Sequence, residues 1–374
     1  MAKILILGGG FGGVVAAERL AENLGDEHQI TLVSRSRNFV FYPALVRLAF
    51  GKCEVSDVSF DLRTTLLNRK VTFIEAEVAR LDPDARKVII AHGEIEGSLS
   101  YDYLVFALGR RLATERVSGF FEHSHHLLNV DKALKFGKAI ASFKEGHAVV
   151  GECAGARLPV PVYETAFALA RRLEARDERK NAKITIINPD PPGFEFGDDT
   201  ISAALQDALR THEIEYRSDF PVNRISPGTI MTSNGHAMNF NLLMLVPPFE
   251  GSPVVSYLGF TNNAYVDVDS TMRVRDIERM YAVGDCVNFS GPKMGHMAVR
   301  QAAVAAANLL AEIEGKSPVA NYSHELRLVI DEGGRDSIYA HKDIWTDEPA
   351  SVQQGRFWGW AKRVQEKYWE ATHA

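Results

Sequence analysis

A glycine turn between a strand and a helix at the start of the chain limits the fold most strongly. Residues 3–7, KILIL, are a continuous apolar run, as expected for a buried parallel strand. The glycine run GGGFGG follows at 8–13, and the next segment, VVAAERLAENL, has helical periodicity. Strand, G-x-G-x-x-G and helix in this order are typical of a dinucleotide-binding sheet. We therefore predict an α/β fold that binds a dinucleotide through this turn.

The residues of this turn have separate roles in binding a dinucleotide. Gly8 permits the tight turn, Gly10 lets the backbone approach a pyrophosphate, and Gly13 lets the helix pack closely on the strand. The helix N-terminus then offers free N–H groups and a partial positive charge to the phosphates. Phe11 and Gly12 complete the turn and are predicted cofactor contacts as well.

The second predicted strand, QITLVSRSR at 29–37, departs from the usual ribose-binding pattern. An Asp or Glu is common near the end of this strand, where it binds ribose hydroxyls. Ser34 occupies that place here, with Arg35 and Arg37 beside it. Ser34 is therefore either a weaker ribose ligand or a turn residue, in which case backbone groups hold the ribose.

Two later segments have the same form of an apolar strand followed by glycine. They are YDYLVFALG at 101–109 and MYAVGDCVNF at 280–289, and a long Ala-rich helix follows the second. An Asp at a strand end is well suited to bind a ribityl hydroxyl. A helix N-terminus is well suited to face the pyrimidine edge of a flavin. This pattern favours FAD. The predicted contacts at these strand ends are Ala107, Gly109, Gly284, Asp285 and Ala298.

Taken together, these segments resemble the flavoproteins with two dinucleotide-binding domains, in the branch of sulfide:quinone oxidoreductases and type II NADH dehydrogenases. The segments NFVFYPALVRLAFGK at 38–52, LVPPFEGSPVV at 245–255 and PKMGHMAVRQA at 292–302 carry the resemblance further. It covers most of the chain, and it implies bound FAD with membrane quinone as electron acceptor. It also adds Pro43 and Val78 to the predicted FAD contacts.

The two branches differ in a second glycine turn, in the middle of the chain. The NADH branch has a second G-x-G-x-x-G there for the nicotinamide dinucleotide, whereas this chain has GECAGA at 151–156. Cys153 takes the place of the middle glycine, where its side chain would block a pyrophosphate. Residues 157–161, RLPVP, delay the helix, and the next strand ends near Asn188 rather than an acid. These departures argue against an NADH site of the usual kind.

The sulfide branch has a redox cysteine at this turn, followed by Tyr-Glu and Phe at the start of a helix. The matching residues are Cys153, Gly155, Tyr163, Glu164 and Phe167. The resemblance implies that Cys153 lies over the flavin and carries sulfur to it. We expect a nearby helix N-terminus to lower the pKa of this thiol and supply thiolate. The alternative is a small buried apolar residue, as free cysteine often is.

A second cysteine is present near the C-terminus in the sulfide branch, in a C-x-x-D-x-G context. Leu328 holds that place here, within LVIDEG at 328–333. Neither Cys53 nor Cys286 is an obvious replacement, so the second cysteine of the two-cysteine mechanism is missing. A one-cysteine path is an alternative, through a Cys153 persulfide or a bond between Cys153 and the flavin. Another alternative is that the enzyme uses a different electron donor.

Several polar residues have both a functional and a structural interpretation. Glu164 either relays protons to reduced quinone or from sulfide, or is a carboxylate favoured at a helix N-terminus. Lys293 either lies near the flavin or quinone, or is a solvated loop lysine. His123, His125 and His126 have no carboxylate or cysteine at a ligand spacing, so they predict a solvated or hydrogen-bonded loop rather than a metal site.

The C-terminal segment GRFWGWAKRVQEKYWEATHA is rich in aromatic residues and contains three of the four tryptophans of the chain. On a helix, one face would carry Phe357, Trp360, Ala361, Val364 and Tyr368. Aromatic residues on one side with basic residues around them are typical of an anchor at a membrane interface. The alternative is a helix packed on the protein or on the partner of a homodimer.

Composition and charge argue against several other classes of protein. The net charge is −6, so no basic field predicts nucleic-acid binding. The sequence has no apolar run of about 18 residues and no features of a secretory signal at its start. Three cysteines are too few for a disulfide scaffold or a zinc site. We expect a cytoplasmic protein, peripheral on the inner face of the cell membrane.

We predict an α/β fold with two Rossmann-like domains and a C-terminal membrane-associating segment. The predicted limits are 1–115 with 258–312 for the FAD domain, 116–257 for the second domain, and 313–374 for the quinone- and membrane-side segment. The predicted activity is FAD-dependent oxidation of sulfide or a related sulfur donor with quinone as acceptor. The alternatives are a type II NADH:quinone oxidoreductase with a divergent nicotinamide site and a flavin-binding electron-transfer subunit.

Overall fold

Two parallel sheets organise the chain, and the computed structural model describes residues 1–334 and 336–373. The first strands are β1 (Lys3–Leu7), β2 (Gln29–Ser34), β3 (Asn38–Val40), β4 (Ser59–Asp61), β5 (Thr72–Asp82), β6 (Lys87–Gly93), β7 (Ser98–Ser100), β8 (Tyr103–Phe106) and β9 (Arg111–Leu112). The helices among them and just after them are α1 (Phe11–Asn23), α2 (Leu45–Ala49), α3 (Leu62–Leu67) and α4 (Phe120–His123).

The middle of the chain alternates helices with strands and then forms a small antiparallel sheet. Its helices are α5 (Val130–Ser142), α6 (Val160–Glu174) and α7 (Asp199–Thr211). Its strands are β10 (Gly146–Glu152), β11 (Ala182–Ile187), β12 (Glu215–Arg217), β13 (Val222–Ser226), β14 (Thr229–Thr232), β15 (Ala237–Asn239), β16 (Leu242–Val246) and β17 (Phe249–Glu250).

The last part returns to the first sheet and then adds a C-terminal unit. Its strands are β18 (Thr261–Asn262), β19 (Tyr265–Val266), β20 (Met280–Ala282), β21 (Glu325–Asp331), β22 (Ser337–Asp343) and β23 (Ser351–Gln354). Its helices are α8 (Gly295–Ile313) and α9 (Arg356–His373). The antiparallel sheet β21–β22–β23 packs on α6 and α9.

The large sheet has the strand order β20-β8-β1-β2-β5-β6-β7, in which the first five strands are parallel. The apolar run of β1 is buried because it lies in the middle of this sheet, with α1 packed on it and on α8. The smaller sheet has the order β12-β11-β10-β16, also parallel. In both sheets the carboxyl ends of neighbouring strands therefore reach one edge.

The predicted α/β fold with two Rossmann-like sheets is confirmed. Strand β1 occupies the predicted residues 3–7. Helix α6 begins at Val160, directly after Pro159, and ends at Glu174. Helix α7 begins at Asp199 because the Asp198 carboxylate accepts hydrogen bonds from the backbone N–H groups of Thr200 and Ile201 and so caps the helix. The domain limits stay a prediction.

The described residues, 1–334 and 336–373, contain no helix that is both long and apolar enough to cross a bilayer.

Candidate active site

Four strand ends bring the predicted FAD contacts to one edge of the large sheet. Strands β2, β1, β8 and β20 are neighbours there, and their carboxyl ends point the same way. Parallel sheets of this kind bind ligands at this edge. The residues gathered there are Gly8 to Gly13 after β1, Ser34 at the end of β2, Ala107 and Gly109 after β8, and Gly284 and Asp285 after β20.

The first glycine turn is too crowded for side chains at two of its positions. A Cβ at Gly8 would lie 2.2 Å from the carbonyl oxygen of Ala107, and the backbone there has φ of 112°. A Cβ at Gly13 would lie 1.8 Å from the carbonyl oxygen of Gly8. Glycine at these two positions therefore lets the start of α1 lie close against β1 and β8.

Gly10 differs from both because it faces open space. Among the described residues, no heavy atom lies within 4 Å of the position of a Cβ at Gly10. Gly10 is also the N-cap of α1, and in the described chain no side chain bonds the free N–H groups of that helix end. Open space beside uncapped N–H groups fits a pyrophosphate. These residues therefore fit FAD.

The C-terminal half of the chain completes this edge. The Gly284 N–H donates a hydrogen bond of 2.6 Å to Gln301 Oε1, and a Cβ at Gly284 would lie 3.5 Å from the Cβ of Ala298. The start of α8 is thereby held against the end of β20, next to Asp285. The predicted neighbours Gly284, Asp285 and Ala298 are thus brought together.

The remaining predicted FAD contacts lie in different surroundings. Ser34 Oγ donates to the Ser36 carbonyl at 3.0 Å, which is the geometry of a turn residue. Arg35 is exposed, and Pro43 lies in a half-buried 3-10 turn. Val78 is buried in the apolar core of the large sheet. Their contact with FAD stays a prediction.

A buried group of cations lies beside Asp285. Arg110 donates from Nε to Asp285 Oδ2 at 3.3 Å and from Nη1 to the Ala156 carbonyl at 2.6 Å. Arg157 donates to the carbonyls of Gly291 and Phe289 at 2.9 and 2.7 Å. Lys293 lies next to them, so two guanidinium groups and one lysine amine face one carboxylate. Their excess positive charge favours an anionic ligand or a flavin that becomes negative on reduction.

Lys293 is buried, and it is not the solvated loop lysine of the structural interpretation. Only 6% of the residue is exposed, and its Nζ donates to the carbonyls of Val287 and Phe289. Burial, followed by the nearby charge of Arg157, lowers the pKa of Lys293 to about 7. A lysine with such a pKa holds or releases a proton near neutral pH.

This burial predicts how Lys293→Gln changes the pH dependence of stability. Between about pH 7 and the ordinary lysine value of 10.5, the unfolded chain binds a proton that the folded chain does not, so the free energy of unfolding rises with pH. From pH 7 to pH 9 the wild-type value should rise by about 2 kcal/mol more than that of the variant. Urea unfolding of the apoprotein measures this, with the exposed Lys87→Gln as control. Equal slopes in wild type and Lys293→Gln would contradict the lowered pKa.

The turn that holds Cys153 contacts this cation group directly. Besides the bond from Arg110 to Ala156, the backbone N–H of Lys293 donates to the Arg157 carbonyl at 3.0 Å. The turn after β10 therefore lies against the FAD side of the molecule. Cys153 itself is 1% exposed and packs in an apolar cluster with Val117 and Phe120.

The expectation of a lowered Cys153 pKa is wrong. Burial, and then the nearby carboxyl of Glu152, raise the pKa of Cys153 well above the ordinary thiol value. Helix α6 begins only at Val160, so its N-terminus is seven residues away along the chain. In this structure Cys153 is therefore a buried thiol, and its reactivity depends on access and on removal of its proton.

The same turn carries a buried carboxyl group of its own, that of Glu152, beside the start of α6. The Glu152 carboxyl accepts a hydrogen bond from the Leu158 N–H at 3.0 Å. The Asn188 amide, at the end of β11, lies 3.4 Å from the other Glu152 oxygen. Burial, and then Glu195, raise the pKa of Glu152. Pro159 and Pro161 have no N–H to offer at the start of α6.

Glu164 lies in a different place, at a cleft between α6 and α9. Its Oε1 accepts hydrogen bonds from the Asp331 N–H at 2.9 Å and from Lys362 Nζ. Burial raises the pKa of Glu164, while Lys362 opposes that shift. The structural interpretation as a helix N-terminal carboxylate fits only in part, because the main partner is a lysine of α9. A proton-relay role stays a prediction.

Leu328, at the expected place of a second cysteine, and His126 of the histidine run are both buried. Leu328 is 1% exposed and packs in a cluster with Phe167, whereas Cys153 belongs to a separate cluster. Leu328 and Cys153 therefore do not pack in the same apolar cluster. His126 is buried, stacks on Phe120 and has no hydrogen-bond partner for its Nδ1 among the described residues, so the prediction of a solvated or hydrogen-bonded loop is wrong for this residue.

Sequence reasoning missed three contributors to the site. Two of them are charged residues at strand ends, Arg110 directly after Gly109 and Glu152 directly before Cys153. Their position at the strand ends could have marked them as candidate site residues. Trp369 near the C-terminus packs on Phe11 of the first glycine turn, with ring centroids 5.0 Å apart. Nothing in the sequence pattern indicates that contact, because it joins the two ends of the chain.

The two parallel sheets and the FAD-fitting edge define an α/β flavoprotein oxidoreductase. The sequence profile of the pyridine nucleotide-disulphide oxidoreductase family matches residues 2–307, and the chain belongs to this family. FAD is the cofactor, as predicted.

Similar proteins fall in the branch that the sequence motifs resemble. The sulfide-quinone reductase of Aquifex aeolicus is 28% identical, over 98% of this chain and 90% of the relative. The X-ray structure of the Aquifex aeolicus enzyme superposes with a TM-score of 0.90 at 26% identity, over 99% of this chain and 90% of that one. A type II NADH:quinone oxidoreductase of Haemophilus influenzae is 22% identical, over 84% of this chain and 82% of the relative. The resemblance to this branch is confirmed.

Proposed function

We propose that this chain oxidises sulfide, or a related sulfur donor, and reduces a quinone with FAD as cofactor. The Aquifex aeolicus relative acts, by its name, on sulfide and quinone. The observation that supports sulfide over NADH as donor is the turn between β10 and α6. Its anion-binding groups are already used within the protein.

That turn leaves little for a nicotinamide dinucleotide to bind. The Leu158 N–H bonds Glu152, two prolines remove further donors, and Cys153 stands at the middle-glycine position. The buried carboxyl of Glu152 already occupies this helix end and accepts the hydrogen bond that a phosphate oxygen would need. These features support a donor other than NADH.

The cation group supports an anionic sulfur donor. Arg110 and Arg157 face one carboxylate and stay charged, and Lys293 beside them is charged below about pH 7, so this group attracts HS⁻ toward the FAD edge. When bound, FAD supplies two-electron transfer between the sulfur donor and the quinone. On the one-cysteine path, the Cys153 thiol and HS⁻ join in an S–S bond and release two electrons and one proton. The quinone takes up these two electrons with two protons, and Lys293 is placed to hold one proton near neutral pH.

We also propose that α9 attaches the protein to a membrane surface, on the inner face of the cell membrane. The side chains that project from this helix are Phe357, Trp360, Val364 and Tyr368, which are 61%, 54%, 46% and 68% exposed. Its other side is fixed to the protein, since Trp358 stacks on Tyr339 at 3.8 Å and Lys362 bonds Glu164. A quinone dissolved in lipid is reached most directly from such a surface.

An anaerobic mixing experiment tests the donor. FAD-loaded protein is mixed with sulfide and, separately, with NADH. The flavin absorbance at about 450 nm is then followed. We expect sulfide to bleach the flavin and NADH to leave it oxidised. Rapid bleaching by NADH alone would instead support a type II NADH:quinone oxidoreductase. A flavin inert to both would support an electron-transfer subunit.

A further inference from the structure

A charged cleft between α6, α2 and α9 has no part in the site described above, apart from Glu164. Its volume is about 810 Å³, and none of the predicted FAD contacts lines it. Among the described residues its lining has seven basic and three acidic side chains. The basic ones are Arg47, Lys52, Arg171, Arg172, Arg176, Lys362 and Arg363, and the acidic ones are Glu164, Glu174 and Asp331. This excess of cations stands out in a chain whose net charge is −6.

Part of this positive charge is already neutralised within the protein. Carboxylates within 4 Å of cleft cations form the pairs Arg47–Glu366, Lys362–Glu164, Arg171–Glu174, Arg171–Asp336, Arg363–Asp331 and Arg176–Glu178. Within the described chain, Lys52 and Arg172 form no ion pair, and the buried Nε of Arg172 has no hydrogen-bond partner. Arg176, four residues further on in the turn after α6, repels Arg172 and lowers its pKa after the larger effect of burial.

We propose that this cleft binds the phosphate headgroup of an anionic phospholipid. A phosphate offers the acceptor oxygens that the unpaired Arg172 and Lys52 lack, and guanidinium groups bind phosphate strongly. Apolar side chains of Val46, Phe50 and Ala168 line the same cleft and fit the glycerol and first acyl carbons of a lipid. This inference rests on the proposed membrane attachment of α9.

The position of the cleft selects a lipid rather than a free phosphate as the occupant. Arg363 lines the cleft, and it lies one helical turn from Trp360, which is exposed on the aromatic face of α9. A helix with its side chains is about 10–12 Å thick, so the cleft lies near the depth of the lipid headgroups when the aromatic face enters the membrane. A phosphate held there belongs to the lipid layer itself.

Vesicle flotation of the FAD-loaded full-length protein tests this inference. One set of vesicles is phosphatidylcholine alone, and the other also contains phosphatidylglycerol. We expect the wild type to bind the anionic vesicles more strongly. The Lys52→Gln/Arg172→Gln double variant should need roughly 25-fold more anionic lipid for half-maximal binding, since each lost basic residue weakens binding about fivefold.

Two further variants and a soluble lipid distinguish the outcomes. Lys87→Gln/Arg224→Gln removes two exposed charges outside the cleft and should bind as the wild type does. Dihexanoyl phosphatidylglycerol should raise the melting temperature of the wild type but not of Lys52→Gln/Arg172→Gln, and inorganic phosphate should raise neither. Equal losses in both double variants, or equal stabilisation by inorganic phosphate, would overturn the inference in favour of diffuse surface charge or an adventitious ion.

The same experiment separates this inference from the function on which it rests. Phe357→Ser/Trp360→Ser should lose binding to both kinds of vesicle, because it removes the aromatic face. If the wild type binds both kinds equally, the headgroup site is wrong and the membrane attachment of α9 stands. If it binds neither, both are wrong. Flavin reduction by sulfide, measured without lipid, reports the proposed chemistry independently.

Discussion

The Gly10→Ala variant is expected to fold as the wild type does but to bind FAD roughly 10- to 100-fold more weakly, because crowding a close contact costs about 1–3 kcal/mol. In the protein itself a Cβ at Gly10 meets no heavy atom of the described residues within 4 Å. The backbone there has φ of −88°, which alanine adopts without strain. The added methyl group therefore affects only a ligand that approaches the turn, as a pyrophosphate does.

Two measurements separate FAD affinity from folding. Flavin fluorescence during titration of the apoprotein gives the FAD dissociation constant, and thermal unfolding of the apoprotein gives its stability. Gly259→Ala is the matched control, since a Cβ there also meets open space but lies outside the turn. Gly13→Ala should instead unfold the turn, because its Cβ would lie 1.8 Å from the Gly8 carbonyl. If Gly10→Ala binds FAD normally, the pyrophosphate lies elsewhere.

The part of this site that the sequence predicts is the part determined by local structure. Strand β1, its glycine turn and α1 follow from adjacent residues, whose apolar run and glycine spacing specify a strand, a turn and a helix in order. Two more strand–glycine segments in the same chain place Gly109 and Gly284 at the same sheet edge, because the ends of parallel strands point one way. No long-range information is needed for either step.

The cation group could not be predicted in the same way. Arg110, Arg157 and Lys293 come from three distant loops, and they meet only because the turn after β10 contacts the loops after β8 and before α8. The direction of Arg157 further depends on a left-handed backbone, with φ of 52°, that its sequence does not specify. The pKa of Cys153 was mispredicted for a related reason. A helix N-terminus is visible in the sequence, but the burial that outweighs it arises from tertiary packing.

The variant Cys153→Ser should lose sulfide-dependent flavin reduction by at least about 100-fold while keeping its FAD. A hydroxyl cannot form the S–S bond that carries sulfur, whereas the FAD contacts at the edge of the large sheet do not include this side chain. Cys153→Ala should give the same kinetic result and leaves no unpaired hydroxyl in the apolar cluster. Cys53→Ser is the control, because Cys53 is half-buried with its Sγ 3.8 Å from the Ala44 carbonyl, outside the Cys153 cluster.

The pH dependence of the same reaction tests whether the Cys153 thiolate is the reacting form. Because burial and Glu152 raise the pKa of Cys153, its thiolate fraction should grow about tenfold per pH unit up to pH 9. Stopped-flow reduction at saturating sulfide should follow that slope in the wild type and in Cys53→Ser. A rate that levels off near neutral pH would mean that sulfide reacts without this thiolate. If Cys153→Ala also reduces its flavin at the wild-type rate, Cys153 is a packing residue, and sulfur reaches the flavin through the cation group alone.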